Sequence, residues 1–159
     1  MGFTNWDSDD GIFNAGSIKR VSSSDQKVWG EKNATDTQIE YGLFVAVAAE
    51  GGVKPITAGT DLISGIVVRD IYGEKSTAEK TINVVHISHG DSVAVQSVDG
   101  IDFARGDRAY IVVTGADAGK VTNVKEGAID IGGWVEDVSA GNNCVAFTLG
   151  YIQSFTDAA

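Results

Sequence analysis

The chain has 159 residues, a formal net charge of −10 and a pI near 4.4. That length suits one domain with its own hydrophobic core. The acidic balance repels a phosphate backbone, which argues against nucleic-acid binding, and a solvated, solubilising surface accounts for it.

A lone cysteine, Cys144, allows no intramolecular disulfide and fits a reducing compartment or a protein that does not rely on bridges. No apolar run approaches the roughly 20 residues that span a bilayer. Twenty glycines stand against one proline, and they recur at the ends of apolar runs, as hairpins require.

Residues 1–37 open the chain. The start, Met1 to Asp7, is acidic and polar and does not read as a signal peptide. The stretch is rich in Ser, Asp and Asn, with scattered apolar residues that include Phe3, Trp6, Phe13 and Trp29. A disordered tail lacks such aromatics. The stretch therefore reads as an extended arm with anchors, ordered against the body, a neighbouring subunit or a partner. The other reading is two strands, near Ser17 to Ser22 and Lys27 to Gly30, packed on the same core.

From residue 38 to 155, β signals dominate. Strands are expected at Leu43 to Ala49, Ile63 to Arg69, Lys80 to Ile87, Ser92 to Val98, Arg108 to Val113, Lys120 to Val124, Ile131 to Asp137 and Asn143 to Ile152. In the last, Val145, Phe147, Leu149 and Tyr151 point one way, with Ala146, Thr148 and Gly150 between them. Glu74 to Lys80 carries no apolar stripe and reads as an exposed loop. Residues 156–159 read as a frayed tail.

A strand-turn pattern occurs twice, from Ile39 to Val68 and from Phe103 to Val135. Each copy has a turn glycine, a half-buried strand, a glycine hairpin, a short strand and a glycine-punctuated strand. The offset is 64 residues at Gly42 and Gly106 but 68 at Ile63 and Ile131, so the second hairpin is longer. The expected fold is all-β, a compact barrel or sandwich built from two similar strand-turn modules with an N-terminal extended arm.

Sites for chemistry are sparse. His86 and His89 fall on opposite faces of a strand, which is poor for sharing a metal. Asp7-Ser8-Asp9-Asp10-Gly11 resembles a calcium loop, but its sixth position is Ile12 and its twelfth Ile18. Arg105-Gly106-Asp107 reads as a strand-entry turn in which Asp bonds nearby backbone. No serine lies in a strand-to-helix elbow, and no phosphate loop is present. Cys144 reads as core, and so does Trp134; Trp134, Tyr110 and Tyr151 are the aromatics that a sugar site would use. The expectation is a protein without catalytic residues, metal or cofactor.

The body also resembles a family. Ile39-Glu40-Tyr41-Gly42 leads into a hydrophobic strand, followed by Val53-Lys54-Pro55-Ile56-Thr57 and Leu62-Ile63-Ser64-Gly65-Ile66-Val67-Val68-Arg69. Gly90-Asp91-Ser92-Val93-Ala94-Val95, Ala104 to Tyr110, Gly119 to Asn123 and Ile131 to Val135 follow in order. Over residues 38–152 this order and spacing resembles the capsid cement (decoration) proteins of tailed bacteriophages.

That resemblance implies a non-enzymatic virion protein, made in the bacterial cytoplasm and bound to the outer surface of the head. Its partners would be the major capsid protein and further copies of itself, as a homotrimer or a dimer, with no role for nucleic acid or membrane. The family lends no catalytic residues. Contact candidates follow from physics alone: Trp6, Phe13 and Trp29, because buried aromatics dominate interface energy. A non-catalytic tail, fibre or glycan-binding β-module is the competing reading.

Overall fold

The Val- and Ile-rich runs pair into two antiparallel sheets that pack as a sandwich. The computed structural model describes residues 13–21, 27–69, 80–139 and 141–150. Trp6, the Asp7 to Gly11 cluster, most of the Glu74 to Lys80 loop, Tyr151 and the tail at 156–159 lie outside the described residues.

The strands are β1 Ile18–Arg20, β2 Val28–Lys32, β3 Phe44–Val47, β4 Val53–Pro55, β5 Ile63–Val67, β6 Thr81–Val85, β7 Ser92–Gln96, β8 Arg108–Val112, β9 Val121–Thr122, β10 Ala128–Ser139 and β11 Cys144–Leu149. One sheet has the order β2-β6-β5-β3-β4, the other β1-β7-β11-β10-β8-β9. All eight expected strands are present, with ends shifted by a few residues. Of the two readings of residues 13–37, the strand reading describes β1 and β2, which pair with β7 and β6.

Apart from β1, the two strand orders are the same order. Strands β2, β6, β5, β3 and β4 match β7, β11, β10, β8 and β9. Backbone bonds repeat with them. Gly42 N donates to Val67 O as Gly106 N does to Val135 O, and Val67 N to Leu43 O as Val135 N does to Asp107 O. Ala34 N donates to Val53 O as Val98 N does to Val121 O, and Asn33 N to Lys80 O as Ser97 N does to Asn143 O. Each sheet is therefore one complete repeat, and residues 27–37 belong to the first. The longer second hairpin holds a 3-10 turn at Gly115–Asp117.

The repeats stack in the same sense. In the second, Val93, Val95, Ala109, Val135 and Phe147 face the shared core. The equivalent face of the first repeat, with Val45, Val67 and Val84, points the other way and forms a smaller cluster with Ile39, Val53 and Ile82, against which Tyr41 and Leu43 pack. Phe44, Ala46, Ile66 and Val85 supply the inner face instead. Phe44 meets Phe147 edge-to-face at 5.0 Å, which locks the two layers at their centre.

Two glycines join the layers along one side. Gly16 N donates to Ala94 O while Gly16 O accepts from Arg69 N; Gly42 N donates to Val67 O while Gly42 O accepts from Gln96 N. Both have positive φ, 80° and 76°. A Cβ on Gly42 would lie 2.7 Å from the Ala15 Cβ, and one on Gly16 would lie 2.9 Å from the Arg69 nitrogen. Only glycine fits both the conformation and the space.

Trp134 departs from its expected place. It follows the bare Gly133, over which the Phe147 ring lies, so it faces outward on the second sheet and covers Gly150. The indole is half-buried outside the core rather than in it. The core takes the Val135 face of this strand instead.

Candidate functional site

The three aromatic contact candidates occupy different settings. Trp6 lies outside the described residues. Phe13 is tied to its own body: its N–H donates to Ser139 Oγ at 2.9 Å, and its carbonyl accepts from Ser139 Oγ, Asn142 Nδ2 and Cys144 Sγ at 2.9, 3.0 and 3.1 Å. The Lys19 ammonium sits 4.3 Å above its ring. Burial pushes the Cys144 thiol up from its ordinary pKa, consistent with a protonated core donor.

Trp29 is 46% exposed on the outer face of the first sheet. It stands on β2 opposite Val84 of β6. Its ring lies nearly parallel on His86, centroids 3.4 Å apart and planes 13° apart. Indole Nε1 donates to Glu31 Oε1 at 2.8 Å. Beneath it, His86 Nδ1 is 2.8 Å from the Ser64 carbonyl, which places the proton of the neutral ring on Nδ1. His86 Nε2 lies 3.8 Å from Glu31 Oε1 and is buried without a hydrogen bond. Burial holds the imidazole below its ordinary pKa, against the opposing pull of the Ser64 bond and the Glu31 charge.

Sequence reasoning named Trp29 but not its two supports. Strand alternation could have placed Glu31 beside Trp29, since both sit two apart on one strand. Only the β2–β6 register brings His86 beneath.

Just before β2, the Lys27 ammonium pairs with Asp91 Oδ2 at 2.7 Å and with Ser88 Oγ. The two charged side chains are only 8% and 2% exposed. This buried pair fastens the start of β2 to the turn before β7.

A second feature is a polar cleft of about 380 Å³ lined by Glu40, Tyr41, Arg69, Gln96, Asp99 and Asn143, among others. Its groups largely bond one another or nearby backbone: Gln96 Nε2 donates to Tyr41 O at 2.7 Å, and Asn143 Nδ2 to Asp99 Oδ1 at 2.8 Å. The Arg105-Gly106-Asp107 turn behaves as expected, with Asp107 Oδ2 accepting from Ala104 N at 2.7 Å. Among the described residues, no three His, Cys, Asp or Glu side chains come together as a metal-ligand set.

These features define a class: a duplicated all-β sandwich with an aromatic–carboxylate patch on one outer face. The XM1 gp53 minor capsid protein family matches residues 3–149. The chain therefore belongs to the XM1 gp53 minor capsid protein family, a family of phage capsid-associated proteins. A chain in the solved structure of the capsid of Myoviridae Phage XM1 has the same fold, with a TM-score of 0.71 at 19% sequence identity, covering 92% of this chain and 95% of that one. No curated protein matches.

Proposed function

We propose that this chain binds the outer surface of a phage head as a homo-oligomer, a trimer or a dimer, and stabilises contacts between major capsid subunits. The family match across residues 3–149 carries this reading. The physics supports it. An oligomer that makes several modest contacts gains avidity of about 10²–10⁴ without any single strong site. Trp29 offers one such contact. The segment before Phe13, with Trp6, adds another contact in this reading, and Phe13 itself is fixed to the body through Ser139 and Cys144.

Co-sedimentation with expanded, undecorated heads of the source phage tests the proposal. Saturable binding at a fixed ratio to the major capsid subunit is expected, and removal of residues 1–12 lowers it. Competent heads that take up none of the full-length protein would reject the reading and favour a tail or glycan-binding module.

A further inference from the structure

The two repeats provide an internal comparison for the Trp29 patch. Position 29 is equivalent to Val93, position 31 to Val95 and position 86 to Leu149, through the matched bonds of Asn33 with Lys80 and of Ser97 with Asn143. In the second repeat these residues fill or flank the core, with Val93 and Val95 at 0% exposure. In the first, where the same face points outward, they are an indole, a carboxylate and an imidazole. A solvated strand face calls for polar residues, and an indole raised to the surface on an imidazole is not among them.

We infer that Trp29 and Glu31 form a seat for an arginine side chain of a protein partner. The inference rests on the capsid-binding reading for the identity of that partner, but the seat follows from local chemistry. With one indole face on His86, the other is presented outward as an electron-rich plane, and tryptophan is the best ring for a cation. The Glu31 carboxylate lies at the edge of that plane, its Oε1 taken by the indole Nε1. A planar guanidinium can stack on the indole and bond the carboxylate together, which an ammonium cannot do with the same geometry.

Among the described residues, the groups that face the seat leave it negative. Lys27, the charged residue two before Trp29 and just ahead of β2, is committed to Asp91. From β6 the facing groups are Ile82, Val84 and His86, and from β5 the Ser64 carbonyl. The depressed His86 pKa leaves the imidazole neutral near pH 7, so the Glu31 charge is not cancelled from beneath. A chain of net charge −10 also draws cationic partners.

The test uses full-length protein in two assays. In the first, the Trp29 indole N–H resonance, assigned with Trp29→Phe, is followed as acetyl-Gly-Gly-Arg-Gly-Gly-amide or its lysine counterpart is added. A saturable shift is expected with the arginine peptide, several-fold weaker with lysine, and lost in Glu31→Gln. In the second, Glu31→Gln and Trp29→Ala reduce co-sedimentation with heads on the order of tenfold, with circular dichroism unchanged. A Trp29 resonance that ignores the arginine peptide, or answers both peptides equally, overturns the seat. So does equal head binding by wild type and both variants, which would leave the capsid reading standing. If wild type ignores heads yet the arginine peptide shifts Trp29, the seat stands and the capsid reading falls.

Discussion

At Gly42 a single hydrogen atom in place of a methyl group allows two layers to join. The residue has φ of 76° and gives its two backbone bonds to different sheets, Val67 in one and Gln96 in the other. Gly42→Ala would bring strain in φ and a contact with Ala15, together costing about 1–3 kcal/mol. Urea denaturation read by tryptophan fluorescence measures this; an unchanged midpoint would mean that the join is not under constraint. Gly42 was legible from sequence as a turn glycine, because the apolar run after it needs one. Its second role was not, since Gly16 approaches it from a part of the chain 26 residues away. Trp29 could be named as a contact candidate by residue type alone. Which face of its strand meets water depends on how the sheets stack, and no local pattern contains that.

At the scale of the element, the repeat is the main result. Three of its five strands were readable, since Gly42 and Gly106, Gly65 and Gly133, and the hairpin glycines recur in order. The other two, β2/β7 and β6/β11, have diverged in sequence while keeping their backbone bonds. Residues 28–32 looked unlike the body because they are exposed or half-buried, whereas their repeat partners at 92–96 are buried or half-buried.

The link between β4 and β5 makes a pH prediction. Asp61 accepts from Lys54 Nζ at 2.8 Å, from Thr57 N at 2.7 Å and from Ala58 N at 2.9 Å. The Lys54 bond first, and these backbone donors with it, hold its carboxyl well below the usual carboxylate range. A depressed folded-state pKa stabilises the fold above the unfolded value near 4, and that contribution is lost as pH falls through the folded one. Wild type should therefore exceed Asp61→Asn in stability by a constant margin from about pH 7 to 5, and the margin should shrink below about pH 4. A margin that does not change with pH would show that shape, not charge, holds this turn.

For the whole molecule, the N-terminal boundary matters most. The sequence alone places an arm at residues 1–37, and removing residues 1–30 would then leave the body intact. In the structure such a cut deletes β1, breaks β2 and strips Lys27 from the buried Asp91. Removing the ammonium partner of a buried carboxylate of this kind costs about 3–5 kcal/mol. Removal of residues 1–12 should give a chain with native circular dichroism and a single cooperative melt, while removal of 1–30 should give neither. A cooperative melt in the longer truncation would show that the second repeat and the rest of the first stand without that edge.

Same-sense stacking gives the molecule a front and a back. A sandwich whose halves met through a two-fold axis would offer the same surface above and below. Here one side presents Trp29 and Glu31, and the other the ion pairs of Lys19 with Asp137 and Arg20 with Glu136. A repeat stacked in one direction thus makes a molecule whose two faces cannot be exchanged. Any flat neighbour meets aromatic and carboxylate groups or mixed charge, according to which way up the protein arrives.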